Sequence, residues 1–297
     1  MTNLEQALQH YRSPYETYRL RRFQPYLSDN NYNIPKFDPS YDQNAKIGVA
    51  VCTYGALPII DLQLYYLTKV NNIQDVVIID DCSPQKNDLI NLAKYYNVDF
   101  ISTTTHLPYI KNVGSNGDTA GILFSLQWAA KKNLDVVVKL SRRLVPCYKW
   151  IDNFKQLVLD SNALTFSSYC VGDKFNFRTE CFGMNVKAWN EPYIINLMKK
   201  NIDNNYIIFA EYWFHELAKL LSFNNISEKW LSFDKKQNLG YFRSGYALWL
   251  DLLGDNRYNQ HLRHDDVLWH IYNTPQQYLD KINSIYPNKY SLKHFDL

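Results

Sequence analysis

Between Lys46 and Pro146 the chain alternates short apolar runs with stretches of helical periodicity, and this alternation restricts the fold more than any other feature. Ile47 to Thr53 is an apolar strand that stops at Tyr54-Gly55. A helix over about 58–70 follows, then a second apolar run from Val76 to Ile79, ending in Asp80-Asp81-Cys82-Ser83-Pro84. A helix over 88–96 leads to a strand over 98–102. After a polar loop, Asp118 stands where it can cap a helix over about 119–132, with Leu123, Leu126 and Ala130 on one face. The run from Leu134 to Leu140 is a further buried strand, and it ends abruptly in Ser141-Arg142-Arg143. Short apolar strands separated by amphipathic helices specify a mainly parallel sheet covered on both faces. The expected class is α/β, with a Rossmann-like central sheet flanked by helices.

The flanks are less regular. Residues 1–44 form an N-terminal helical extension and linker: Leu4, Leu8 and Tyr11 have helical spacing, and residues 28–44 are rich in turn formers. Beyond 146, strands are expected over 163–169 and 180–185, and helices over 191–200 and 209–221. Residues 256–297 form an irregular C-terminal tail with a helix near 275–285.

Composition excludes several classes. The net charge of +3, from 32 basic and 29 acidic residues, lacks the basic excess of a nucleic-acid-binding protein, so any anion site is local. Cys52, Cys82, Cys147, Cys170 and Cys181 are odd in number and include no C-x-x-C pair. That argues against a disulfide framework or structural zinc and for a reducing compartment. The first residues show no basic-then-apolar leader, and no apolar run approaches the ~20 residues that cross a bilayer. The expectation is a cytoplasmic protein without a transmembrane segment. The aromatic content, with 24 Tyr and 15 Phe, supplies core as readily as stacking surfaces.

Ligands of open α/β sheets bind beyond the carboxyl ends of the strands, and three such ends carry ligand-capable groups. At Thr53-Tyr54-Gly55, glycine permits a tight turn or close approach of a ligand, and the tyrosine ring can stack on a base. At Asp80-Asp81, adjacent carboxylates suit ribose hydroxyls or a base amide, although one of them equally suits a turn that caps the next helix. At Ser141-Arg142-Arg143, two planar, permanently charged forks suit a phosphate or diphosphate, or else a solvated turn.

In order and spacing, Lys46-Ile-Gly-Val-Ala-Val-Cys-Thr-Tyr-Gly55 followed by Val76-Val-Ile-Ile-Asp-Asp-Cys-Ser-Pro84 resembles the opening of GT-A fold glycosyltransferases, especially family 2-type enzymes. The loop from His106 to Gly121, with Asn116-Gly117 before a helix, is similar to their Asn/Gly-rich segment. The resemblance covers about residues 45–146. It implies a GT-A-like catalytic domain over 45–255, with a nucleotide-binding half at 45–146 and an acceptor half at 147–255. It implies that Thr53, Tyr54, Gly55, Asp80, Asp81, Asn116 and Ser141 line the nucleotide. The family's next strand normally ends in an Asp-x-Asp motif holding a divalent metal, and here Ser141-Arg142-Arg143 stands in its place.

Departure of a diphosphate requires positive charge, which a metal or fixed cations can supply. The resemblance therefore implies transfer of a sugar from a nucleotide-sugar donor to an acceptor hydroxyl on a glycan, lipid or protein, with Arg142 and Arg143 stabilising the leaving group. No cofactor is assigned beyond the donor; Mg²⁺ or Mn²⁺ at a shifted site stays open, as does a non-catalytic nucleotide- or sugar-binding protein on a degenerate scaffold. A nucleotidyltransferase would want a Gly- and basic-rich loop after the first strand, which residues 53–58 lack. Inverting members place an acidic residue at the start of a helix below the acceptor, and Glu211 corresponds to it as general base, although acids also favour helix N-termini. His215, one turn beyond Glu211, and the His261-Leu-Arg-His264-Asp265-Asp266 cluster are further candidates for diphosphate or acceptor contacts.

Overall fold

The computed structural model describes residues 34–35, 37, 40–106, 116–142, 144–146, 150–161, 163–169, 177–203, 210–222, 268–270, 279–280, 283–287 and 289–291. The N-terminal helical expectation over residues 1–33 and the candidates Arg143, His261 and His264 lie outside them.

The regular part begins with β1 (Ile47–Thr53), α1 (Leu57–Leu64), β2 (Val76–Asp80), α2 (Lys86–Tyr96), β3 (Asp99–Ser102), α3 (Asn116–Lys131) and β4 (Val136–Ser141). It continues with β5 (Leu144–Pro146), α4 (Trp150–Ser161), β6 (Thr165–Tyr169), β7 (Phe177–Asn185), α5 (Val186–Trp189), α6 (Pro192–Asp203), α7 (Ala210–Ser222) and β8 (Leu268–His270). A six-stranded sheet runs in the order β3-β2-β1-β4-β7-β6. β1 to β4 are mutually parallel, and β7 runs antiparallel to both of its neighbours, β4 and β6. This is the α/β, mainly parallel, Rossmann-like sheet that the alternation predicts.

Pleating divides the strand side chains between two cores. Val49 and Val51 of β1 join Val136, Val138 and Leu140 of β4 under α1, α2 and α4. Ala50 and Val137 face the other way, into a core built with α3, α5, α6 and α7. Gly48 marks a close approach on this second face, because a Cβ there would lie 2.3 Å from Leu134 Cδ1 and 2.9 Å from the Trp128 ring.

Four sequence expectations need correction. The helix expected over about 58–70 forms, but it is α-helical only to Leu64 and runs on as a π-helical turn over Tyr65–Val70, closed where the Asn71 backbone N–H (2.9 Å) and side-chain amide (2.8 Å) both donate to Tyr66 O. α3 starts at Asn116, so Asp118 lies inside its first turn instead of capping it, and its carboxylate is spent on Lys139 and Thr179. The segment after Arg142 is no free turn, since Leu144–Pro146 pairs antiparallel with Leu268–His270. β7 begins at Phe177, three residues before the expected strand. Of the expected C-terminal tail, the described Leu279 packs with Ala56, Ile59, Leu62 and Val145.

Candidate functional site

The sheet register brings the candidate groups together. Thr53 pairs with Asp80 across β1 and β2, and Cys52 with Ser141 across β1 and β4, so the three polar strand ends form one edge.

The turn after β1 is held from within. The buried Thr53 hydroxyl donates to Gly55 O at 2.5 Å, and Gly55 (φ +66°) and Ala56 (φ 61°) both take left-handed conformations. At Gly55 a side chain is also crowded, because a Cβ would lie 3.3 Å from Gln85 Oε1, the atom that accepts from Leu57 N at 3.2 Å. The turn leaves the Tyr54 ring 39% exposed and tilted against the His106 ring, with centroids 4.2 Å apart.

The two carboxylates after β2 divide their tasks. Asp80 is fully buried; its carboxylate accepts from Ser83 N at 3.2 Å and from Ser102 Oγ at 3.1 Å, tying the ends of β2 and β3 together. Asp80 thus organises the turn, the second of the roles its sequence position allows. Asp81 faces the edge, where its Oδ2 lies 3.0 Å from His106 Nδ1 and its Oδ1 accepts from Thr103 Oγ1 at 3.2 Å. At the end of β4, the half-buried Arg142 donates from Nη1 to Tyr54 O at 2.9 Å. Ser141 O accepts from the buried Gln63 Nε2 at 2.6 Å. Tyr54, Asp81, Ser141 and Arg142 are therefore gathered in one place.

His106 belongs to this group and was not singled out from the sequence, although a histidine four residues past a strand end is a visible signal. Beneath the edge lies a second unforeseen feature. Lys139 of β4 is fully buried; its Nζ is ion-paired with Asp118 Oδ1 and donates to Thr179 O at 2.7 Å, while Thr179 Oγ1 donates to Asp118 Oδ2 at 2.7 Å. A lysine inside Val-Val-Val-Lys-Leu was the sequence signal, since lysine is almost never buried without a partner. Close by, burial pushes the Cys52 thiol up to about 11 against the opposing pull of the Lys139 charge.

Asn116 opens α3, and Glu211 and His215 lie on α7, Glu211 in its first turn. Among the described residues no three His, Cys, Asp or Glu side chains gather to hold a metal ion. Among the same residues no helix is long and apolar enough to cross a membrane.

No protein-family model matches this sequence, and no curated protein does. Solved structures overlap it at low identity. The glycosyltransferase GlyE of Streptococcus pneumoniae TIGR4 matches 77% of this chain at 14% identity and a TM-score of 0.47. The chain spans only 55% of GlyE's length. A Pyrobaculum calidifontis mannosyltransferase solved with GDP-Man and Mn²⁺ matches 86% of this chain and 89% of its own, at 11% identity and a TM-score of 0.43. A Leptospira borgpetersenii cytidylyltransferase matches 67% of this chain and 97% of its own, at 16% identity and a TM-score of 0.36.

Proposed function

We propose that the chain is a glycosyltransferase that moves a sugar from a nucleotide-sugar donor to an acceptor hydroxyl. The observation that carries this reading is the convergence of Tyr54, Asp81 and Arg142 on one sheet edge, with Arg142 hydrogen-bonded to the Tyr54 carbonyl. An aromatic face, a carboxylate and a guanidinium match the base, the sugar hydroxyls and the phosphates of a nucleoside diphosphate.

In this reading the nucleoside lies along Tyr54 and Asp81, with His106 beside both, and the diphosphate reaches Arg142 and Arg143. The bond between the sugar's anomeric carbon and the diphosphate oxygen breaks as the acceptor oxygen bonds to that carbon from the opposite face, inverting it. The acceptor proton passes to Glu211, and the charge left on the diphosphate is matched by the arginines. The chemistry of the strand end supports independence from metal. A divalent cation wants carboxylate oxygens, whereas β4 ends in a hydroxyl and adjacent guanidiniums, and the nearby Asp80 carboxylate is already occupied by Ser83 and Ser102. Among the described residues these strand-end groups, in which Asp81 is the one carboxylate facing the edge, do not fit the divalent metal of GT-A enzymes.

A donor screen that follows nucleoside diphosphate release, with and without chelator, tests this. Turnover that survives chelator and falls by about 100-fold in Arg142→Ala is expected. Chelator-abolished turnover refutes the arginine mechanism. Diphosphate binding without turnover would make the chain a binding protein, and pyrophosphate release would make it a nucleotidyltransferase.

A further inference from the structure

α1 carries a second, buried polar device around Asp61. Asp61 has no solvent exposure, yet its carboxylate is surrounded by donors from distant parts of the chain. Tyr96 OH of α2 donates to Oδ1 at 2.5 Å. Tyr290 OH and Lys289 Nζ donate to Oδ2 at 2.7 and 2.6 Å. Tyr286 OH lies 2.9 Å from Tyr96 OH, extending the network outward. The Lys289 ammonium also sits over the rings of Tyr286 (4.5 Å), Tyr290 (5.3 Å) and Tyr95 (5.7 Å), a geometry that attracts a cation electrostatically. Burial, and after it the Asp61 charge, holds the Tyr290 hydroxyl above the usual phenol range.

A carboxylate taken out of water costs several kcal/mol unless donors satisfy its oxygens. An apolar residue would pack α1 without that cost. Asp61 differs in demanding partners of one kind at one place, and so it selects a single seating for residues 283–291.

That seating bears on the candidate site through two contacts of α1. Gln63, two residues along the same helix, donates to Ser141 O at 2.6 Å. Ala56, Ile59 and Leu62 enclose Val145 of β5 together with Leu279, and Ile285, Tyr286 and Tyr290 pack against this cluster. Ser141 and Val145 are thereby held by α1 on one side, and Val145 by the C-terminal segment on the other, with β8 hydrogen-bonded along β5.

We propose that Asp61 is a positioning residue: it fastens the C-terminal segment to α1 and through it holds the Ser141–Arg142 turn in the geometry that receives a diphosphate. Only the diphosphate part rests on the glycosyltransferase reading. The mechanical part stands apart from it and has its own readout.

The test compares the intact chain with Asp61→Asn, Lys289→Met, Lys289→Arg and the Asp61→Asn/Lys289→Met double variant, by amide hydrogen exchange and by calorimetric titration with UDP and with GDP. Asp61→Asn leaves an ammonium that is 37% exposed and so keeps the fold testable, whereas Lys289→Met strands a carboxylate of 0% exposure and is the harsher of the two. In Asp61→Asn and Lys289→Met, exchange is expected to accelerate about tenfold or more in 283–291 and again in 141–146, with β2 and β3 unchanged. The double variant is expected to be no worse than the worse single one, and Lys289→Arg to restore protection. Acceleration confined to 283–291, or spread evenly over the whole sheet, overturns the mechanical proposal. Coupled exchange with unchanged affinity for both nucleotides overturns the diphosphate part alone.

Discussion

Replacing Asp118 by Asn is expected to damage this protein more than replacing its partner Lys139 by Met. The asymmetry follows from burial: the Lys139 side chain is 1% exposed and that of Asp118 is 29% exposed. Asp118→Asn leaves an ammonium buried in the central strand with only the Thr179 carbonyl and a neutral amide as acceptors. Breaking a buried pair in this way costs about 3–5 kcal/mol. At about 2 °C per kcal/mol for a chain of this size, that is a fall in Tm of about 6–10 °C. Lys139→Met leaves a carboxylate that water reaches and that keeps its bond from Thr179 Oγ1, so the expected cost is about 1–2 kcal/mol. The double variant, with no charge left to bury, returns to the Lys139→Met level. The two single variants also differ in pH dependence. In Asp118→Asn, burial lowers the lysine pKa in the folded state below its unfolded value, so the unfolded chain binds more protons and stability rises with pH. Lys139→Met lacks that rise. Scanning calorimetry between pH 6 and 9 measures both effects, about the range in which a desolvated lysine titrates. Equal destabilisation by the two single variants, or an additive double variant, would refute the argument.

Three other outcomes follow from single contacts. Arg142→Lys is expected to bind nucleoside diphosphate about tenfold more weakly than the unaltered chain in calorimetric titration, since an ammonium cannot keep the Tyr54 carbonyl and grip a phosphate as a fork does; unaltered affinity sinks the assignment. Gly48→Ala forces a methyl against Leu134 and Trp128 and is expected to cost about 1–3 kcal/mol in urea unfolding, whereas a neutral result would show that the Trp128 ring can yield. Cys52, its thiol raised to about 11 by burial, is expected to resist iodoacetamide at pH 8 in the folded chain and to react on unfolding, as peptide mass mapping would show. The raised value also means that this thiol's contribution to stability is intact below about pH 9 and is lost as pH rises toward 11.

The order of strands and helices from Ile47 to Ser141 was legible because each step is local. A buried parallel strand shows itself as an apolar run, and its neighbours as helical periodicity. The site was half legible. Tyr54, Asp81 and Arg142 announce themselves as polar groups at strand ends, and the register does the rest. Asp118 reads in the sequence as a helix cap because a capping rule looks only a few residues ahead, whereas its carboxylate is engaged 21 and 61 residues away, by Lys139 and Thr179. The sequence shows a histidine past a strand end at His106 but not its partner, because the contact with Asp81 exists only once β3 lies beside β2. The pairing of β5 with β8 left no trace in pattern, since three-residue strands carry no periodicity and these two are far apart in the chain.

The Asp61 network has a consequence for how the protein is made. Its donors Lys289 and Tyr290 lie 228 and 229 residues downstream, so α1 leaves the ribosome long before they do. Throughout that interval the helix bears a carboxylate that cannot be enclosed without them, and one flank of α1 stays open to water. Closure around α1 waits until Lys289 and Tyr290 have been translated. A chain interrupted before Lys289 would keep an open, solvated seam beside the site, the kind of feature by which chaperones and proteases recognise an incomplete product.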